Sequence, residues 1–258
     1  AQREETPEAI RLSVPIIKDI IRAYRIPILE VSGYEADDVI GTLATEAGRQ
    51  GIITYMMTPD KDYGQLVSDN VFMYRPKHSG GFEVMGIDEI KAKFNIRSTE
   101  QVIDMLGLMG DSSDNIPGCP GVGEKTAQKL VAEFDSIENL LAHTDQLKGA
   151  LKTKVEANRE MITFSKFLAT IKVDVPIKLD MTTLVREEPD EEKLRKIFEE
   201  LEFRTLIDRV LKKSGAPLSS SSNSVSPDLY AGTLFARPVD SPTPENNGPV
   251  QGDLFANF

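Results

Sequence analysis

The chain has 258 residues, 40% hydrophobic and 28% charged, which is enough for one sizeable or two small domains with a real core. A single cysteine excludes an internal disulfide, and the lack of a signal peptide or long apolar run makes a cytoplasmic protein without a membrane span the expectation. The net charge of −11 argues at first against nucleic acid, but it is uneven: residues 1–114 sum to −7 and residues 115–172 to +1.

Thr6-Pro7 has the form of a helix start, and Ile10, Val14, Ile17, Ile21 and Tyr24 continue an apolar stripe at helical spacing, with Pro15 expected to kink it. Residues 27–31 then read as a short buried strand, 35–49 as a helix and 52–58 as a second buried strand. Strand, helix, strand in that order implies a parallel sheet in an α/β layer. Residues 71–75 and 82–85, separated by Ser-Gly-Gly, suggest a further strand pair. Beyond them the pattern turns helical, with helices predicted over 87–94, 99–109, 123–134, 136–142, 149–172 and 189–203. The expected organisation is an α/β core over 1–108, a helical subdomain over 109–212 and a disordered linker over 213–258. The linker is rich in Ser, Pro and Asn and buries too little apolar surface to offset its ordering entropy.

Three acidic clusters carry the first chemical signal: Glu35, Asp37 and Asp38 in GYEADD, Asp60 and Asp62 in TPDKD, and Asp111 and Asp114 in MGDSSDN. The second follows a predicted parallel strand, at the sheet edge where ligand sites collect, and the first opens a helix after another such strand. Asp60 and Asp62, two apart on an extended segment, point the same way, while Glu35 and Asp38 share a helix face. Carboxylates gathered together repel one another and take up protons unless a cation balances them. Hard oxygen ligands without His or Cys select Mg2+ or Mn2+ over zinc, and a pair of such ions about 4 Å apart suits phosphodiester hydrolysis. A helix-opening acid can instead simply cap the helix and complement its dipole.

Residues 115–131, NIPGCPGVGEKTAQKLV, form the second constellation. Pro and Gly forbid a regular helix through Gly121, and Gly123, Lys125 and Thr126 open a helical segment. Such glycines let a backbone approach a phosphate, with helix amides facing the anion and Lys125 and Lys129 adding positive charge. Backbone contact of this kind selects structure rather than base sequence.

Taken together, GYEADDVIGTLA, TPDKDYGQLVSD and LMGDSSDNIPGCPGVGEKTAQKL resemble the 5′ nuclease family, and within it the N-terminal 5′ to 3′ exonuclease domains of bacterial DNA polymerases, over about residues 3–211. The resemblance implies a two-metal nuclease of replication and repair that removes 5′ flaps and RNA primers and acts on nicked or gapped duplex. It also implies a helix-hairpin-helix over 118–126, including Gly118, that holds duplex DNA and often a K+. By motif, Glu35, Asp37 and Asp60 would serve one metal and Asp62 and Asp111 the second, with Asp38 and Asp114 acting through water. The family opens with a buried strand bearing an Asp, and has a second Asp before a helical arch. Neither precedes Ala1, so the expectation is a chain that begins inside the domain with a sheet edge uncovered. An alternative follows, a catalytically dead fragment that only grips duplex DNA. A phosphatase with no nucleic-acid partner would leave residues 115–131 unexplained. The expected state is a monomer, nucleoid-associated. Near the end, Gln251 to Phe255 resembles the peptide by which bacterial replication proteins dock on the sliding clamp, or else begins a following domain.

Overall fold

The structure is a computed structural model that describes residues 6–77 and 80–211. Residues 2–5, Ser79 of the predicted turn, the linker over 213–258 and the peptide Gln251 to Phe255 lie outside the described residues. The chain divides into two units, Ala1–Leu201 and Glu202–Phe258. In the second, the described structure is one short helix, Arg204–Val210, which the sequence reading did not foresee.

The first unit opens with α1 (Glu8–Ala23), which begins after Pro7 and continues through Pro15. Its apolar stripe is not a core face: Ile10 is 54% exposed, Leu12, Val14 and Ile17 are exposed as well, and only Ala23 is buried. After a left-handed turn at Arg25 (φ 54°), residues 27–31 form no strand. This corrects the sequence expectation. An extended segment becomes a strand only where a neighbour takes up its amides and carbonyls, and Pro27 offers no amide; among the described residues nothing pairs with it. The parallel pair lies elsewhere. α2 (Ala36–Arg49) leads to β1 (Thr54–Met57), which runs parallel to β2 (Val71–Pro76), and β2 pairs antiparallel with β3 (Phe82–Met85), giving the sheet order β1-β2-β3. The crossover between β1 and β2 carries a 3-10 helix, Lys61–Leu66.

Seven helices follow: α3 (Ile87–Phe94), α4 (Gln101–Met109), α5 (Glu124–Phe134), α6 (Ile137–Ala142), α7 (Gly149–Ala157), α8 (Arg159–Ala169) and α9 (Glu191–Glu200). The single helix predicted over 149–172 breaks at Asn158 (φ −121°, ψ 23°), and its last residues are not helical. α4 is the hub, packed on α8, α5 and the 3-10 helix. Its Val102, Met105 and Leu106 are fully buried, and each such large side chain contributes roughly 1.5–3 kcal/mol of transfer free energy. α4 and α8 touch at Gly107, where a Cβ would stand 3.0 Å from the Lys166 Cα, so only glycine permits that approach. The pair is pinned by Asp104, whose carboxylate accepts from the Lys166 ammonium at 2.6 Å and the Ile137 amide at 2.8 Å. This packing holds the end of α4, and therefore Asp111, against the segment that carries Asp60 and Asp62.

Candidate functional site

The segment after β1 does not stay extended, so Asp60 and Asp62 do not point the same way as the two-residue spacing suggested. Asp60 caps the 3-10 helix instead: its Oδ1 accepts the Asp62 amide at 3.0 Å, satisfying one of the amides that a helix start leaves open. Asp62 turns inward and is 8% exposed. Asp111 is set by a different device. α4 ends at Gly110 (φ 73°), and Asp111 and Ile116 exchange backbone hydrogen bonds of 2.9 and 2.7 Å, closing a tight loop that passes through left-handed Asn115. One Asp111 oxygen accepts the Ser113 amide at 2.8 Å and the other accepts from the Lys61 ammonium.

These two devices bring Asp62, Asp111 and Asp114 together, with one oxygen of each within 4.8 Å of the others. Asp62 and Asp111 are buried and Asp114 is exposed. Asp62 Oδ1 is buried without a hydrogen-bond partner, with the Lys61 ammonium 3.8 Å away. Burial first, then the charge of Asp60, push the Asp62 carboxyl from its ordinary 3.8 up to about 7, against the pull of Lys61. Burial acts on Asp111 in the same sense, but Lys61 and the Ser113 amide outweigh it and hold that carboxyl below its usual range. The donor set therefore fits a hard divalent cation: oxygen ligands only, one of them buried and unpartnered, and a lysine ammonium standing among them as a substitute positive charge.

The acids at the start of α2 join this cluster indirectly. Glu35 is the exposed N-cap residue, and its amide donates to Asp38 Oδ2 at 3.4 Å. Asp38 Oδ1 accepts the Lys172 amide at 2.9 Å, so both oxygens of Asp38 are engaged by backbone. Asp37 Oδ1 accepts from the hydroxyl of Tyr63 at 2.8 Å. Burial and that hydrogen bond raise the Tyr63 pKa well above its ordinary value, with the charges of Asp37, Asp60 and Asp38 adding to the effect. Of the seven acids named from sequence, the structure thus gathers three within common ligand reach, attaches Asp60 and Asp37 through Asp62 and Tyr63, and leaves Glu35 and Asp38 as a helix cap.

The hairpin between α4 and α5 is built from backbone. Gly118 (φ 62°) packs so closely on Gly110 that a Cβ there would lie 2.4 Å from the Gly110 nitrogen. Its amide donates to Ser165 Oγ at 2.9 Å, the Cys119 amide to Leu108 O at 2.8 Å and the Val122 amide to Cys119 O at 2.9 Å. α5 starts after Gly123, which has no neighbour within 4 Å of where a Cβ would stand. Lys125 and Lys129 are exposed one turn apart, and half-buried Thr126 bonds back to Gly123 O through its amide. The Lys154 ammonium from α7 lies against Gly121, 2.5 Å from where a Cβ would stand.

The sequence reading missed Lys61, Tyr63, Lys154 and Ser165. Lys61 was visible as the cation between two aspartates; a serine 47 residues from the loop it anchors gives no local signal.

The comparisons with known proteins give the family and the fold. The family model described as the 5′-3′ exonuclease N-terminal resolvase-like domain matches residues 1–95, and that of the 5′-3′ exonuclease C-terminal SAM fold matches 97–192. DNA polymerase I of Bacillus subtilis (strain 168) is 42% identical over 210 residues, covering 81% of this chain and 24% of that protein. DNA polymerase I of Chloroflexus aurantiacus is 35% identical over 260 residues, 99% of this chain and 26% of that protein. The chain therefore spans about a quarter of the length of the curated relatives it matches. Among solved structures, the catalytic core of Rad2 in complex with DNA substrate superposes with a TM-score of 0.57 at 16% identity, covering 81% of this chain and 70% of that one. The flap endonuclease of bacteriophage T5, in a complex with DNA and metal ions, does so with a TM-score of 0.53 at 21% identity, covering 77% and 73%. Both likenesses concern the fold. Among the described residues no helix is long and apolar enough to cross a membrane.

Proposed function

The chain belongs to the 5′-3′ exonuclease family, and from that premise we propose that it acts as a divalent-metal nuclease that hydrolyses the phosphodiester backbone of DNA at 5′ ends and 5′ flaps. The observation that carries this reading is the convergence of Asp62, Asp111 and Asp114 around a buried carboxylate oxygen that has no donor. Mg2+ is the expected ion, with Mn2+ as substitute, because the ligands are all carboxylates. Two such ions activate a water and stabilise the leaving oxygen when bound. Asp62 and Asp111 would hold one of them, with Asp114 acting through water or the outer shell; Glu35, Asp37 and Asp60 would serve the other, with Asp38 fixing the start of α2.

The helical part grips the duplex. Gly118, Gly121 and Gly123 let the hairpin backbone reach phosphates, Thr126 sits at the same turn, and Lys125 and Lys129 add charge. A K+ at this hairpin belongs to the same reading. The functional divisions are a nuclease core over 1–108, a helical DNA-binding subdomain over 109–212 and a linker over 213–258. The substrates are flapped, nicked or gapped duplex and RNA primers on DNA, in replication and repair. The protein acts as a monomer at the bacterial nucleoid, within a longer polymerase, and Gln251 to Phe255 either docks on the sliding clamp or begins a following domain.

Turnover of an end-labelled 5′-flap duplex with and without Mg2+ tests the central part. Metal-dependent release of the flap is expected. Duplex binding without any release would leave a grip without chemistry, and a lack of both would remove the reading.

A further inference from the structure

Packing accounts for the ring of Tyr63 but not for its hydroxyl. The residue is 3% exposed, and its ring belongs to the same apolar cluster as Val67, Ile90 and Val102, a place that Phe would fill equally well. The hydroxyl goes to one acceptor, Asp37 Oδ1, at 2.8 Å and 26 positions away in sequence. Because Tyr63 directly follows Asp62 in the 3-10 helix, this bond ties the acid on α2 to the short segment that carries Asp60 and Asp62.

The neighbouring acid shows what the bond does. Asp38 has both oxygens occupied by amides and serves the backbone. Asp37 has one oxygen held by a neutral donor, and no described hydrogen bond reaches the other. A carboxylate restrained at one oxygen keeps its full charge and its second oxygen for a cation, and its direction is set by the partner. We infer that Tyr63 is a positioning residue that fixes the Asp37 carboxylate for divalent-metal binding. The inference rests on the proposed metal site. It assigns a role to a hydroxyl on this chain that packing leaves unexplained.

Calorimetric titration with Mg2+ of the wild type, Tyr63→Phe, Asp37→Asn and the double variant tests it, with thermal unfolding of each metal-free protein alongside. Tyr63→Phe should weaken Mg2+ binding about 10-fold, the scale at which loss of a ligand's hydrogen-bond partner acts. Asp37→Asn should weaken it at least as much, and the double variant no further, because the hydroxyl acts only through Asp37. Mg2+ affinity of Tyr63→Phe equal to wild type overturns the inference, whether or not its unfolding temperature falls, and so does a double variant whose losses add in full. A wild type that takes up no Mg2+ overturns the proposed function and this inference with it. Uptake that Asp62→Asn abolishes but Tyr63→Phe leaves intact overturns this inference alone.

Discussion

The hairpin follows directly on the Asp111 and Asp114 end of the acidic cluster, yet one is finished and the other is not. In the hairpin, the amides of Gly118, Cys119 and Val122 each find an acceptor at 2.8–2.9 Å, and glycine stands where a Cβ would collide with backbone. In the cluster, Asp62 is buried with an oxygen that has no donor, its carboxyl raised to about 7, and the ammonium beside it is that of its own chain neighbour Lys61. A shape that is complete by itself presents a surface, whereas a charge arrangement that is incomplete by itself calls for a ligand. On the proposed function, the same chain would use backbone to hold a polyanion and side chains to hold a cation.

Substitutions separate the two sharply. Gly118→Val should have the largest effect: the new Cβ meets Gly110 and the backbone is left-handed, so a loss of about 3 kcal/mol or more in urea unfolding is expected, together with loss of duplex binding at low salt. Lys166→Met, in the same helical part, strips the buried Asp104 of its ammonium and should cost about 2 kcal/mol in the same assay, leaving Mg2+ affinity unchanged in the folded protein. Asp62→Asn should go the other way. Replacing a buried carboxylate that has an oxygen without a donor is expected to raise the stability of the metal-free protein by about 1 kcal/mol while abolishing Mg2+ uptake. A destabilised Asp62→Asn would mean that the carboxylate is a structural element like those of the hairpin. The smallest effect belongs to Lys61→Met, which removes the substitute cation and should tighten Mg2+ binding a few-fold by calorimetry at pH 8.

What could be read from the sequence divides along physical lines. The α2, α4, α5 and α6 helices were legible because their apolar spacing and caps are local, and the acid motifs were legible as motifs. Residues 27–31 were misread as a strand because an apolar run says nothing about the neighbour a strand needs. The break at Asn158 was missed because the apolar pattern continues across it. Within the site, the sequence presented Asp60 and Asp62 as a matched pair. The structure separates them, since Asp60 spends an oxygen on the Asp62 amide. The tie from Tyr63 to Asp37 is a product of packing α2 on the 3-10 helix, and the ion pair from Lys61 to Asp111, 50 positions apart, of packing α4 on it; no local pattern encodes either.

Proton linkage at the cluster tests the account most directly. With the Asp62 carboxyl raised from 3.8 to about 7, the folded metal-free protein binds a proton that the unfolded chain has already released. Between those values this group's contribution to stability therefore falls as pH rises. A divalent cation must displace that proton, so metal binding should release it below pH 7 and should not do so well above it. Calorimetric titration with Mg2+ at pH 6, 7 and 8, each in two buffers of different ionisation enthalpy, reads this out. The expected result is affinity that rises from pH 6 to 8, proton release that fades over the same range, and loss of both in Asp62→Asn. Mg2+ affinity that is independent of pH and unchanged in Asp62→Asn would contradict the assignment of Asp62, Asp111 and Asp114 as a metal centre.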